Sequence, residues 1–239
     1  MQLTTQEIHV WSIDLNLEPA QLAAKEALLS ADELERARQF HFPIHQKRFI
    51  AGRGVLRELL GLYLKQPPET LQFGYSPHDK PFLATLSHSG LSFNLAHSED
   101  QALYAFTRQH AVGIDLEKIE PKKYNLQLAK RYFSKNEYEA LLALPEAERL
   151  PTFFRIWSRK EAMIKAIGKG LSLPLASFSV SIQPDIERLH LENEDWMLIQ
   201  LEAPIGFAAA LASTLPITTI SYWQLVGHKP KMHSSWTLT

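Results

Sequence analysis

The chain has 239 residues, of which 45% are hydrophobic and 21% charged, and its formal net charge is −1. This is globular material, long enough to bury a core in one domain or two small ones, and the near-neutral balance argues against a general nucleic-acid binder, which carries a basic face. The chain has no cysteine, which excludes disulfides, zinc–thiolate sites and a thiol nucleophile.

The N-terminal sequence MQLTTQEIHVWSIDLN lacks the basic start and apolar stretch of a secretion signal, and no apolar run approaches the ~18 residues of a membrane span. A cytoplasmic location with no membrane partner is therefore expected. From Arg36 to Arg57 the only charged residues are basic (Arg36, Arg38, Lys47, Arg48, Arg53 and Arg57), joined by His41 and His45 and interleaved with Phe40, Phe42 and Phe49. Such a segment suits a polyanionic ligand. The spacing of Phe49, Val55, Leu56, Leu59 and Leu60 predicts a helix over residues 44–64, on which about half of the charges are expected to be merely solvated.

Strand-like LSFNLA and ALYAFT follow, and a linker is expected near Gln109 and His110. Next comes VGIDLE at 112–117, where alternation along a strand puts Asp115 and Glu117 on one face and Val112, Ile114 and Leu116 on the other. Same-face positions on a strand lie roughly 6.5–7 Å apart, so the two carboxylates repel unless a proton or a cation relieves them, and a hard cation such as magnesium fits. The segment WSRKEAMIKAIGKGL at 157–171 predicts a helix starting near Pro151 or Thr152 and stopping at Gly168, with Phe153, Ile156, Trp157, Met163, Ile164 and Ile167 on one apolar arc. Glu161 and Lys165 lie at its edge, one turn apart, where Glu161 can complete a carboxylate cluster and Lys165 can meet a phosphate. Taken singly, each motif also fits a plainer role: an alternating acidic strand, an exposed ion pair, an aromatic core.

MLIQLEA and GFAAALA predict a second pair of strands. The helix-to-hairpin offset repeats, since 43 positions separate Arg48 from Leu91 and 43 separate Phe154 from Met197, which points to two related α+β halves, residues 1–110 and 111–239. The tail from His228 reads as a mobile end or a strap.

VGIDLE and WSRKEAMIK resemble the G-[IV]-D-x-E and [FW]-x-x-K-E-[AS]-x-x-K motifs of the Sfp-type 4′-phosphopantetheinyl transferases, and FNLAHS at 93–98 and RYFSKNEYEALLAL at 131–144 resemble further segments of that family in the same order. The likeness runs roughly from Leu34 to Val180. It implies a pseudodimer of two similar α+β halves with a cleft between them. It also implies transfer of phosphopantetheine from coenzyme A to a serine of an apo acyl or peptidyl carrier protein, releasing adenosine 3′,5′-bisphosphate.

By the same resemblance Arg36, Arg48, Lys80, His97 and Lys165 would contact coenzyme A, while Asp115, Glu117 and Glu161 would hold magnesium. Lys165 would stabilise the leaving phosphate, and either Glu161 or a metal-bound water would take the serine proton. Two positions depart from the pattern: Asp79 stands where relatives carry glycine before Lys80, and Glu33 where some carry a basic residue near the 3′-phosphate. The carrier could belong to fatty-acid, polyketide or nonribosomal-peptide synthesis, its helix received by an apolar patch near Tyr124 to Tyr138, and a duplicated chain is expected to act as a monomer. Two rival readings remain: a magnesium-dependent phosphohydrolase or nucleotidyl transferase that uses the same acids and needs no protein acceptor, and a non-catalytic module that binds an acidic protein or nucleic acid through residues 36–57, with VGIDLE merely a surface strand.

Overall fold

The computed structural model describes residues 1–76, 81–84, 89–183, 185–226 and 229–238. In chain order the elements are β1 (Glu7–Asp14), α1 (Pro19–Glu26), α2 (Ala31–Arg38), α3 (Pro43–Leu64), β2 (Phe73–Tyr75), β3 (Pro81–Leu83), β4 (Leu91–Ser98), β5 (Gln101–Arg108), β6 (Val112–Lys118), α4 (Leu126–Tyr132), α5 (Lys135–Ala143), α6 (Glu146–Ile167), β7 (Ile186–Leu191), β8 (Glu194–Gln200), β9 (Phe207–Thr214), β10 (Thr219–Val226) and β11 (Lys229–Thr237).

One sheet has the order β11-β10-β1-β5-β4 and another β6-β9-β8-β7. Each contains the same antiparallel unit: β1-β5-β4, with β1 before α3 and β4 and β5 after it, and β6-β9-β8, with β6 before α6 and β8 and β9 after it. This is the expected α+β pseudodimer. The period-2 pattern divides each strand between two cores. Trp11, Ile13, Tyr104 and Phe106 pack with Ala51, Val55, Leu56, Leu59 and Leu60 of α3. Trp196, Leu198, Ala208, Ala210 and Ala212 pack with Phe153, Ile156, Met163 and Ile164 of α6. The opposite faces share a third core, in which Ile8, Val10, Leu103 and Ala105 meet Val112, Ile114, Leu116, Met197, Ile199 and Leu211. Burying both faces of both sheets fixes their registers, because a one-residue slip would turn every strand inside out.

Three expectations change. The helix predicted from 151 or 152 begins at Glu146, so Pro151 lies within it. Proline there gives up one backbone bond and crowds the carbonyl one turn earlier, while Glu146 and Glu148 suit the positive end of the helix dipole. Arg149 also ties back to the carbonyl oxygens of Leu142 and Leu144. Next, the halves are not separate at residue 110. β10 pairs parallel to β1, Glu7 opposite Thr219 and Trp11 opposite Trp223, so the last two strands belong to the first sheet. The tail is thus a strap from Lys229 onward, with β11 antiparallel to β10.

Lastly, Glu33 and Arg57, expected near ligand or solvent, are buried together. Both are 1% exposed; Arg57 Nε donates to Glu33 Oε2 at 2.7 Å, and its NH1 donates to the carbonyls of Pro68 and Leu71. Glu33 Oε2 also accepts from the Ser30 backbone N–H in a capping box at the start of α2. A charge pair so enclosed and hydrogen-bonded holds α2 on α3 and leaves Glu33 no role at a phosphate.

Candidate active site

The cleft forms where β4, the edge of the first sheet, meets β6, the edge of the second. The two are joined by side chains instead of a ladder: Asn94 Oδ1 accepts from the Ile114 N–H at 2.8 Å and Ser98 Oγ from the Lys118 N–H at 3.0 Å. These bonds bracket Asp115 and Glu117 and bring His97, on β4, alongside them. The other wall is α6, drawn tight against β6 at Gly113, where a Cβ would overlap the Ala162 carbonyl oxygen and the Ala166 nitrogen. Gly113 is therefore what lets Asp115 and the Glu161–Lys165 turn share a site.

Lys160, between Arg159 and Glu161, is wholly buried. Its ammonium meets Glu137 Oε2 at 2.9 Å and donates to the carbonyls of Leu175 at 2.7 Å and Phe178 at 2.6 Å. It thereby locks the segment after α6 and the start of α5 onto the helix, with burial lowering its pKa against the pull of Glu137. Gly168 ends α6 at φ 80, a left-handed cap that glycine adopts without strain.

The cavity enclosed is about 520 Å³ and is lined by both halves: Arg48, Phe49, Gly52, Arg53 and Leu56 of α3, Asn94 to His97 of β4, and Glu161, Ile164, Lys165, Gly168 and Gly170 from α6 and beyond. Glu161 is the carboxylate of its lining, and Lys165, also in the lining, reaches Asp115. Asp115 is nearly enclosed; Oδ1 accepts from Lys165 Nζ at 2.6 Å, and Oδ2 is buried with no hydrogen-bond partner among the described residues. Burial, then the neighbouring Asp115, pushes the Glu117 pKa up to about 7. The same two causes in the same order raise Glu161. Lost hydration works against the Lys165 ammonium, but Asp115, then Glu161 and Glu117, outweigh it and its pKa is raised. His97 is pushed down, first by lost hydration in the cleft and then by Lys165, Arg48 and His45.

Asp115, Glu117, Glu161, Lys165, His97 and Arg48 are thus brought together as the sequence predicts. Among the described residues, however, no ready-made group of three ligands that could hold a metal is present: Lys165 rather than a third carboxylate closes on Asp115, as expected of acids that repel one another. Arg36 stands further out, its guanidinium 5.9 Å from the Phe49 ring and 5.5 Å from the Tyr75 ring. Lys80 and Asp79 lie outside the described residues, although the next residue, Pro81, lines the cleft.

Arg53, which the sequence offers only as one of the basic residues of the 36–57 segment, also belongs to the site. It stands 4.9 Å over Phe73, its Nε is 3.5 Å from Glu33, and its buried NH1 has no hydrogen-bond partner among the described residues. The signal was its spacing, since Phe49, Arg53 and Leu56 fall on one helical stripe.

Comparison with known proteins agrees with this geometry. Residues 111–204 match the family described as the 4′-phosphopantetheinyl transferase superfamily, and residues 16–109 match that described as 4′-phosphopantetheinyl transferase, N-terminal. The 4′-phosphopantetheinyl transferase HetI of Nostoc sp. is 40% identical over 213 residues, covering 89% of this chain and 90% of the relative. Sfp of Bacillus subtilis is 32% identical over 208 residues, 84% of this chain and 91% of its own. Among solved structures, the holo-[acyl-carrier-protein] synthase of Thermotoga maritima aligns over 46% of this chain and 65% of that one, at 20% identity and a TM-score of 0.31. With relatives this similar over nearly their whole length, and with the family's acidic strand and Lys-Glu helix facing one cleft, the chain belongs to the 4′-phosphopantetheinyl transferase superfamily.

Proposed function

We propose that the cleft binds coenzyme A and that the chain transfers its 4′-phosphopantetheine group to a serine hydroxyl of an apo carrier protein. The observation that carries this reading is the meeting, around one cavity of about 520 Å³, of Arg48, Arg53 and His97 from the first half with Glu161 and Lys165 from the second, Lys165 in turn reaching Asp115. The size suits a cofactor-like ligand, and Arg48, Arg53, His97 and Lys165 supply donors for its phosphates. Arg36, and Lys80 by the family pattern, are proposed to contact the ligand's outer part.

Asp115, Glu117 and Glu161 would hold magnesium. The fit rests on the unpartnered Asp115 Oδ2 and on two carboxyls, Glu117 and Glu161, whose pKa values are raised by burial and then by the charge of Asp115, a set that a hard cation relieves. Bound there, magnesium would supply charge neutralisation at the diphosphate.

The serine oxygen forms a bond to the phosphorus that bears pantetheine, and the bond from that phosphorus to the bridging oxygen breaks, so that adenosine 3′,5′-bisphosphate leaves. Glu161, on the cleft wall with a raised pKa, takes the serine proton. Lys165, released from Asp115, stabilises the charge that develops on the leaving phosphate. The acceptor is proposed to dock beside Glu117, at a cavity of about 300 Å³ rimmed by Lys122, Lys123, Leu128, Phe153 and Trp157; this lies in the region of Tyr124 to Tyr138 singled out from sequence. Both walls come from one chain, so the proposed form is a monomer, acting in the cytoplasm in fatty-acid, polyketide or nonribosomal-peptide synthesis.

The test is intact-protein mass spectrometry of an apo carrier incubated with this protein and coenzyme A, with magnesium and with chelator. A phosphopantetheine mass gain that requires magnesium is expected. Coenzyme A cleaved with the carrier unmodified would replace this reading with a phosphohydrolase, and an intact coenzyme A with no gain across several carriers would replace it with a binding module.

A further inference from the structure

Arg48 does not face the cleft freely. Its Nε donates to Asp100 Oδ1 and its NH2 to Glu99 Oε2, both at 2.8 Å, and these partners, Asp100 first, raise its pKa against the cost of lost hydration. Among the described residues NH1 has no hydrogen-bond partner. The two acids form the tip of the β4–β5 hairpin, between the paired residues Ser98 and Gln101. That tip is itself fixed, because the Asp100 carbonyl accepts from the Leu15 N–H at 2.6 Å. Glu99 takes a φ of 53, at a hairpin position that favours glycine or asparagine. A glutamate kept in that backbone state, with its carboxylate on an arginine of the cleft, calls for a reason.

We propose that Glu99 and Asp100 are positioning residues, a clamp that grips one edge of the Arg48 guanidinium and presents NH1 to a phosphate of the cleft's ligand. A free arginine would lose rotamer freedom on meeting a phosphate; one already held by two charge-assisted bonds has little left to lose. The competing effect is electrostatic, since two carboxylates also weaken the field that attracts an anion. Their side chains are each 40% exposed against 14% for Arg48, so solvent screens the repulsion more than it loosens the grip. The inference rests on the proposed binding of coenzyme A in this cleft.

The experiment compares the E99A/D100A and E99Q/D100N double variants, each with and without Arg48→Ala, reading coenzyme A affinity by calorimetry and the steady-state constants by carrier mass gain. The alanine pair is expected to raise Kd and KM about fivefold with kcat within about twofold, and the amide pair, which keeps the acceptors but not the charge, to stay within about twofold of the parent. In the Arg48→Ala background the alanine pair should have no further effect. An alanine pair that binds coenzyme A as well as the parent or better, or that weakens binding equally without Arg48, overturns the clamp. A parent protein that binds no coenzyme A overturns the reading of the cleft, and the clamp with it; a parent that binds and transfers while the variants are indifferent overturns the clamp alone. Melting curves of all six proteins, the parent and Arg48→Ala included, separate a misfolded hairpin from a lost contact.

Discussion

Asp115 holds the site's charges together. Its Oδ1 keeps Lys165 in the cleft while its other oxygen is buried without a hydrogen-bond partner among the described residues. Asp115→Ala removes the Lys165 bond but also an unpartnered buried oxygen and a repulsion with Glu117 and Glu161, and Lys165 is exposed enough to find water. Transfer is therefore expected to fall by at least about 100-fold while stability changes by no more than about 1 kcal/mol; carrier mass gain and urea unfolding check the two halves of the statement. Full activity in the variant would remove Asp115 from the site.

Glu117 gives a pH signature. Its pKa of about 7 stands above the ordinary 4.5, so the folded protein holds that proton more tightly than the unfolded chain does. Its contribution to stability then declines as pH rises from about 4.5 through about 7. Glu117→Gln cannot lose a proton. Without divalent cations its melting temperature should overtake the parent's as pH climbs through that window, and magnesium should close the gap by favouring the parent's ionised form. Parallel melting curves across the window would show that Glu117 does not titrate as described.

At the level of elements, the site depends on how closely α6 lies on β6. Gly113 permits the approach, and a methyl group there meets backbone atoms of Ala162 and Ala166 that cannot swing aside. Gly113→Ala is expected to cost about 1–3 kcal/mol by overpacking, and also to reduce transfer, because the displaced helix carries Glu161 and Lys165 away from Asp115. Urea unfolding and carrier mass gain, measured on one preparation, test whether the two losses go together; a normal rate would mean that the helix position is not critical.

How far the sequence announced these elements follows from what local pattern can encode. Alternation in VGIDLE and the stop at Gly168 are local, and both are where the sequence puts them. The true start of α6 was hidden because Pro151 imitates an N-terminal residue, whereas the chain had already turned helical five residues earlier. Nothing local marks Lys160 as buried, since its two carbonyl partners come from a segment whose path only the fold reveals. Arg57 and Glu33 were misplaced for the same reason: nothing in a sequence marks a charge whose partner lies on another helix.

The molecule as a whole is less divisible than its repeat suggests. Duplication is legible because it repeats along the chain, but the return of β10 to β1 joins opposite ends of the sequence, and no periodicity records that. The join is substantial. Ile220 and Tyr222 of β10 are buried in the core shared by both sheets, Trp223 stacks on Trp11 at 5.7 Å, and Ser221 Oγ donates to Glu7 at 2.8 Å. β11, by contrast, pairs only with β10 and is exposed along nearly its whole length. Two truncations should therefore behave differently. Ending the chain at Val226 removes an edge strand and is expected to lower the melting temperature by several degrees while carrier modification continues. Ending it at Thr218 strips β1 of its parallel partner β10 and opens the shared core, a loss of about 1.5–3 kcal/mol for each buried side chain that a domain of marginal stability does not survive. Thermal unfolding and carrier mass gain on both shortened chains decide the matter. If the shorter chain folds cooperatively and still transfers, the C-terminal strands are an appendage; if it does not, the two halves depend on a strand that leaves the second to complete the first.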